Sequence, residues 1–388
     1  MTLKNTLFLV LLFSFSTCFA KQSKTDSLTA LIKIDKNDTT KVNHLNALCK
    51  EYLFVVGDPD KCLIFSKEAL VLATQLKFKK GIAQANGKIG ASYLYKGTYY
   101  ESLKFSNLAL QQYQQLNDKK GIANSYNNIA AVYLSQKKFN EALQMFLNVL
   151  RVSREMNYKE GVAFAYNNIS VCYENTKKYD EALIGFTNAQ KIEMELGNNL
   201  NISMSYSNIG YVYLLQLKYA ESLKNLTKAL DMSTKLQNKY TMGQNNLQLG
   251  NLYYKQRKYN EALKYYTTAK ILLKSINSMD LLSNTYGSLV ETDSALGNYK
   301  EAFANYKLYR LYLDTLANKD NIIKENQALI SQTEFQKNEL LLKLKNADKQ
   351  AIIAEQKTTK KINVLSGALF ITICTLGFML YKGYKRNY

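Results

Sequence analysis

Three asparagines recur at intervals of 40 residues, at Asn128, Asn168 and Asn208, and Gln248 occupies the next position in the series. A side-chain amide can accept a hydrogen bond from an N–H group and donate one to a carbonyl group, the two bonds that a peptide backbone requires. If these side chains share one surface, they form a ladder able to bind an extended main chain. The alternative is that they are ordinary polar residues covering a hydrated face.

Residues able to catalyse reactions or bind metals are scarce in this chain. His44 is the only histidine, and no catalytic set with a serine or cysteine nucleophile can be assembled around it. The five cysteines include no pair with metal-ligand spacing. We therefore predict a protein that is not an enzyme and that has no cofactor or metal.

The net charge of +20 is spread along the chain rather than gathered in runs. Dispersed lysines are typical of a solvated surface, with a weak preference for acidic partners or an anionic membrane face. We therefore predict no nucleic-acid partner.

The first 20 residues indicate a signal peptide. Lys4 supplies a positive charge, residues 7–15 form a short apolar core, and Ala20 offers a small residue at a cleavage site. A lipoprotein signal at Cys18 is the alternative. Residues 21–40 form a lead-in to the rest of the chain.

The last part of the chain indicates a membrane helix. Residues 362–381 carry no charge and are flanked by lysines. At about 1.5 Å per residue they would extend about 30 Å, the thickness of a bilayer's hydrocarbon core. The two ends together predict a single-pass protein of the bacterial inner membrane, with residues 382–388 as a cytoplasmic tail and the remainder in the periplasm. A cytoplasmic, tail-anchored protein is the alternative if residues 1–20 are not a signal.

Export would leave three cysteines in an oxidising compartment, namely Cys49, Cys62 and Cys172. Cys49 and Cys62 could pair across two helices as a disulfide. The sequence favours the other interpretation, in which they are buried free thiols.

A 40-residue period runs through residues 41–320 as seven units. A glutamate recurs six times in register, and aromatic residues recur at two other positions. The three series are Glu101, Glu141, Glu181, Glu221, Glu261, Glu301; Tyr93, Tyr133, Tyr173, Tyr213, Tyr253; and Tyr99, Phe139, Tyr179, Tyr219, Tyr259, Tyr299. Periods of this size are typical of stacked helical units.

Each unit predicts two helices. In the unit that starts at residue 121, Tyr126, Ile129, Ala130 and Tyr133 share one helical face, and Ala142, Phe146 and Val149 share another after a polar turn. An antiparallel helix pair cannot bury these faces alone, so the units are expected to stack into an all-α superhelical solenoid.

The residue types at these recurring positions resemble those of the tetratricopeptide repeat. The usual repeat has about 34 residues, and this one resembles a longer subtype with an extended second helix. The end units deviate, since Lys50 and Cys62 replace small residues and Asp293 replaces an aromatic one. Because peptide-binding members of the family often grip the ligand main chain with asparagine, the resemblance implies that role for Asn128, Asn168 and Asn208.

The predicted groove residues all lie on the first helix of a unit, on the face opposite the buried stripe. A protein or peptide ligand is the expected occupant. The candidate residues are Asn124, Asn128, Asn168, Asn175, Asn208, Gln244, Gln248 and Asn251.

Residues 321–361 lack glycine and proline and predict a connector helix with a weak coiled-coil seam, through which the chain could form a homodimer. The order of segments is similar to the periplasmic sensor regions of Bacteroidetes tetratricopeptide histidine kinases and helix-turn-helix regulators, without their cytoplasmic output domain. We therefore expect a membrane-anchored receptor or adaptor that binds protein in its groove, possessing no catalytic activity. The alternatives are a structural scaffold of the cell envelope and a truncated relative of such a sensor.

Overall fold

The computed structural model of the protein describes residues 24–316 and isolated positions between 345 and 382. The chain divides into two compact units, Met1–Glu325 and Asn326–Tyr388, and every helix named below lies in the first. Residues 24–316 contain helices and turns but no strand. In chain order the helices are α1 (24–34), α2 (Thr39–Glu51) continued by a π-helical turn (Tyr52–Val56), α3 (Pro59–Gln75), α4 (Lys79–Tyr95), α5 (Tyr99–Gln115), α6 (Lys119–Ser135), α7 (Phe139–Glu155), α8 (Lys159–Asn175), α9 (Tyr179–Leu196), α10 (Asn199–Leu215), α11 (Tyr219–Lys235), α12 (Lys239–Lys255), α13 (Tyr259–Ser275), α14 (Met279–Ala295) and α15 (299–316).

The helices form antiparallel pairs stacked into a solenoid, which confirms the predicted fold class. Helices α4 to α8 and α10 to α14 each contain 17 residues, and α9 contains 18. The length beyond the usual repeat of about 34 residues is therefore shared by both helices of a pair. The expectation of an extended second helix alone was wrong.

A left-handed residue follows each helix from α2, with its π-helical turn, to α14, at intervals of 20 residues from Gly57 to Gly297. After α6, for example, Lys137 has φ 57°, its N–H bonds the Leu134 carbonyl at 2.8 Å, and the Lys138 N–H bonds the Tyr133 carbonyl at 2.8 Å. These two bonds satisfy carbonyls that the helix end leaves without partners. The left-handed positions between the two glycines are Lys77, Gly97, Asn117, Lys137, Asn157, Lys177, Gly197, Leu217, Gln237, Arg257 and Asn277, with Gly297 closing the series.

The core lies between the two helices of each pair and continues into the next pair. In the central repeats, Ala130, Ala142, Phe146 and Val149 are all buried, and the half-buried Tyr126 and Tyr133 pack against them. Full burial of a side chain such as Phe146 stabilises the fold by about 1.5–3 kcal/mol. The stripes predicted from the spacing of apolar residues are therefore the faces that the helices bury.

Small residues on the first helices permit close approach of the second helices. A Cβ added at Gly250 would lie 2.4 Å from the Tyr266 ring, and one at Gly210 would lie 2.8 Å from Leu226. Since real Cβ atoms do not come that close to other atoms, the two glycines are required by packing rather than by backbone conformation.

The two end repeats use specific contacts where the repeat pattern deviates. Cys49 of α2 and Cys62 of α3 form a disulfide, so the expectation of two free thiols was wrong. Cys172 is a buried free thiol. In the last repeat the carboxylate of buried Asp293 accepts a hydrogen bond from Asn305 at 2.8 Å, where other repeats place an aromatic ring.

The expected location in a bacterial inner membrane is contradicted. Within the described part of the chain, no helix combines the length and the apolar character needed to cross a bilayer. Of the expected span at 362–381, the structure describes only isolated positions.

Other expectations fall on segments about which the structure gives no description. The signal peptide at 1–20 lies outside the described residues, as does the tail at 383–388. Most of the connector at 321–361, with its suggested homodimer contact, also lies outside them.

Candidate functional site

Two adjoining cavities open along the first helices of the repeats. One of about 570 Å³, here called the central cavity, is lined by residues of α6 to α10, among them Asn124, Asn168 and Glu193. The other, of about 820 Å³ and here called the basic cavity, lies among α2, α4, α5 and α6. Asn124, Asn127 and Tyr158 line both. Together the two cavities form the candidate groove.

The structure brings only part of the predicted ladder into these cavities. Asn124 lines both, Asn168 lines the central cavity and Asn128 lines the basic cavity. The other predicted residues lie on first helices but line neither cavity, namely Asn175, Asn208, Gln244, Gln248 and Asn251.

Two amides of the ladder connect neighbouring repeats. Asn128 Nδ2 donates to the Gly87 carbonyl at 3.3 Å, and Asn208 Nδ2 donates to Asn167 Oδ1 at 3.1 Å. Both bonds join first helices that are one repeat apart. Part of the ladder therefore stabilises the stacking of repeats, in addition to any contact with a ligand.

Other predicted amides bond within their own repeat. Asn168 Nδ2 donates to the Phe164 carbonyl at 2.9 Å, and Asn175 does the same to Val171. Asn251 Nδ2 donates to Gln248 Oε1 at 3.3 Å, and Asn251 Oδ1 accepts from the Tyr266 hydroxyl at 2.8 Å. Both polar atoms of the Asn251 side chain therefore already have a partner. Asn251 is consequently a poor candidate for ligand binding, whereas Asn168 keeps its acceptor oxygen and one N–H available.

Several lining residues escaped prediction from sequence. Asn127 and Asn167 each precede a predicted asparagine and line the central cavity with Asn198 and Asn201. The sequence could have indicated Asn127 and Asn167, because a pair of adjacent asparagines occurs at the same position of two successive repeats. Glu193 lies on the second helix α9, a surface that the assignment of the groove to first helices left out.

The lining of the basic cavity is rich in lysine. Lys50, Lys80, Lys88 and Lys120 line it, and Lys80 pairs with Asp118 at 3.1 Å. Burial, assisted by the charge of Lys50, lowers the pKa of Lys88 to about 8. The ammonium of Lys88 also lies over the Phe54 ring, 5.6 Å from its centre. This end of the groove therefore favours anionic or aromatic groups.

A carboxyl group with a raised pKa lies beyond the central cavity, on the last turn of α8. Burial raises the pKa of Glu174 to about 7. The side chain interacts electrostatically with Tyr211 of α10, whose pKa is raised by burial and then by the charge of Glu174. The protonation of Glu174 therefore changes near neutral pH.

The histidine of the chain pairs with a carboxylate. His44 Nδ1 lies 2.7 Å from Asp35 Oδ2, a contact that fastens α2 to the segment before it. In residues 24–316 and the isolated positions beyond, no three His, Cys, Asp or Glu side chains are arranged to hold a metal ion.

Comparison with known protein families identifies the repeats. A model of the tetratricopeptide repeat matches residues 81–155 and 161–235, and a second model of the same repeat matches residues 247–275. The chain therefore carries tetratricopeptide repeats over these residues. The comparison with curated proteins gives no significant match.

Several solved structures share the fold. The apo form of RapI is 17% identical with a TM-score of 0.60, covering 72% of this chain and 99% of its own. The apo form of the quorum sensor NprR from B. thuringiensis is 18% identical with a TM-score of 0.62, covering 79% and 86%. A Rap protein complexed with competence and sporulation factor is 16% identical with a TM-score of 0.57, covering 76% and 80%. At these identities the likeness concerns the fold alone.

Proposed function

We propose that this array of tetratricopeptide repeats is a non-catalytic binding module that takes an extended protein or peptide segment in its groove. The observation that carries the proposal is the pair of adjoining cavities lined by amides. A cavity of about 570 Å³ lies within the range of sites that bind small ligands or peptide side chains.

The amides of the central cavity suit a main chain. The Asn124 side chain makes no hydrogen bond within the described residues, and the Asn168 side chain uses one N–H on its own helix. Their remaining donors and acceptors can pair with successive peptide groups, whose burial costs free energy unless they are hydrogen-bonded. Phe164 and Met204, which are exposed at the same cavity, offer apolar contact to alternate side chains.

Solved structures with a similar fold support the proposal that the groove binds a peptide. One was solved as a complex with competence and sporulation factor and another is named a quorum sensor. The resemblance of the array to sensor regions of histidine kinases and DNA-binding regulators extends the proposal to a receptor or adaptor in signalling.

A display library of random 12-residue peptides would test the proposal. Peptides selected on the wild-type protein are measured against a groove variant, Asn124→Arg with Asn168→Arg, and against a control, Asn148→Arg with Asn225→Arg. The control residues are half-buried on the second helices α7 and α11, where each donates only to a carbonyl of its own helix.

The proposal expects saturable binding that the groove variant loses by at least about tenfold and that the control variant retains. Peptides that bind all three proteins equally, or a failure to select any peptide, would contradict it. Circular dichroism of the variants separates lost binding from lost folding.

A further inference from the structure

Glu193 is a buried acid with incomplete hydrogen bonding at the wall of the central cavity. Its residue is 6% exposed, and its Oε1 accepts a hydrogen bond from Asn201 Nδ2 at 2.9 Å. Its Oε2 is buried and has no hydrogen-bond partner. Among residues 24–316, Glu193 takes part in no ion pair.

A second unpartnered group lies at the same cavity. Ser153 of α7 lines it, is 1% exposed, and its Oγ has no hydrogen-bond partner. At the equivalent position one repeat further on from Glu193, Ser233 bonds both the Leu230 carbonyl and Asn245. Ser153, Glu193 and Ser233 occupy equivalent positions in three successive repeats. The two that line the cavity, Ser153 and Glu193, are those with an unpartnered oxygen.

The surroundings of Glu193 favour a positive charge from outside the chain. Glu160 also lines the central cavity, whereas Lys159 beside it is paired with Glu195 at 2.9 Å. The lysines of the groove gather in the basic cavity instead. Burying a carboxylate without a counter-charge is costly, and a cation that makes a charge-assisted hydrogen bond removes most of that cost.

Gly161 lines the central cavity beside Ser153. A Cβ at this position would lie 2.6 Å from Ser153 Oγ and 2.4 Å from the Tyr158 ring. The glycine thus leaves room beside the unpartnered oxygen of Ser153.

We propose that Glu193 is a specificity-determining residue that binds the guanidinium or ammonium group of a basic residue in the peptide ligand, with Asn201 holding the carboxylate in place and Ser153 accepting a further N–H. An arginine suits the site well, because its planar fork of donors can reach two acceptors at once. The inference rests on the proposed function and adds the class of side chain that the central cavity selects.

The probes are two fluorescent pools of blocked heptapeptides that differ only at the central residue. One pool carries arginine there and the other carries citrulline, which has the same shape without the charge, while the other six positions are mixtures of uncharged residues. Binding is measured by fluorescence anisotropy with the wild-type protein, Glu193→Gln and Glu195→Gln. Glu195 is the matched control, since it is two residues away on the same helix, exposed, and paired with Lys159.

The wild-type protein and Glu195→Gln should bind the arginine pool at least about tenfold more tightly than the citrulline pool, the usual effect of a hydrogen bond to a charged group. Glu193→Gln should bind both pools equally. Equal binding of the two pools by the wild-type protein would overturn this inference and leave the proposed function intact. So would an arginine preference that survives in Glu193→Gln. Binding of neither pool would overturn both.

Discussion

Asn208 and Asn167 form a hydrogen bond between the first helices of two successive repeats, with Nδ2 of Asn208 donating to Oδ1 of Asn167 at 3.1 Å. The bond lies on the face of the first helices, where an amide ladder was expected to bind ligand. It shows that an amide on this face can serve the solenoid itself, so each residue of the ladder has to be tested for both roles.

The first prediction separates those roles. Asn208→Ala removes the bond between repeats and should lower the free energy of unfolding by about 1 kcal/mol. Asn168→Ala removes only a bond to its own helix and should change stability by less than about 0.5 kcal/mol. Urea denaturation followed by circular dichroism measures both. A larger loss in Asn168→Ala than in Asn208→Ala would contradict the assignment.

The second prediction concerns close packing at Gly250. The added methyl group of Gly250→Ala meets the ring of Tyr266, which is almost fully buried and hydrogen-bonded to Asn251. Overpacking of this kind costs about 1–3 kcal/mol. Gly87→Ala is the control, because its nearest neighbour is the Ala109 Cβ at 3.7 Å, and its better helix propensity should stabilise the fold by up to about 1 kcal/mol. Thermal unfolding should therefore shift in opposite directions for the two variants.

The third prediction concerns the left-handed helix ends. Leu217 has φ 61° and is 62% exposed. Its backbone is therefore strained, and removal of its side chain would cost little buried apolar surface. Leu217→Gly should relieve about 1–2 kcal/mol of left-handed strain, of which about 0.4–1 kcal/mol is offset by the freer unfolded chain. A rise in melting temperature is expected.

Gly197 offers the reciprocal test of this idea. It has φ 70°, and a Cβ placed there would meet no atom within 4 Å. Gly197→Ala should accordingly destabilise the protein through conformation alone. If both variants destabilise, burial of the Leu217 side chain matters more than the backbone at this position.

The fourth prediction uses Glu174, whose pKa burial raises from 4.5 to about 7. Because the folded protein then holds this proton more tightly than the unfolded chain, the free energy of unfolding should fall as pH rises from about 4.5 to about 7. Glu174→Gln removes the ionisation, so it should be more stable than the wild type above pH 7, by at most about 3 kcal/mol.

Melting temperatures of both proteins between pH 4 and pH 9 would check this prediction. The advantage of Glu174→Gln should vanish at the acid end of the range. Glu195→Gln is a control of opposite sign, since a hydrogen bond from Lys159 lowers the pKa of that exposed carboxylate. An advantage of Glu174→Gln that is constant with pH would show that packing, and not ionisation, is responsible.

Much of the fold could be predicted from sequence because it depends on short-range periodicity. The spacing of Ile129, Ala130, Phe146 and Val149 alone identifies two buried faces, and the structure buries all four. The equal length of the two helices was missed, because the left-handed residues that end them are mostly lysine, asparagine or glutamine. Those residue types do not mark a helix end as clearly as glycine does.

The site was less predictable, because it depends on which atoms are already bonded. Asn168 and Asn251 occupy first helices with similar sequences, yet only Asn251 has both polar atoms committed. Glu193 was missed for a different reason: its importance comes from an unsatisfied oxygen on a second helix, which no spacing reveals.

The 20-residue spacing of the left-handed helix ends has a consequence for how the gene can change. A single residue inserted within a helix would turn the rest of that helix by about 100°, since a helix has 3.6 residues per turn, and would rotate its groove positions away from those before the insertion. A duplicated or deleted block of 40 residues leaves the register intact. Whole repeats can therefore be added to or removed from this surface without disturbing its register.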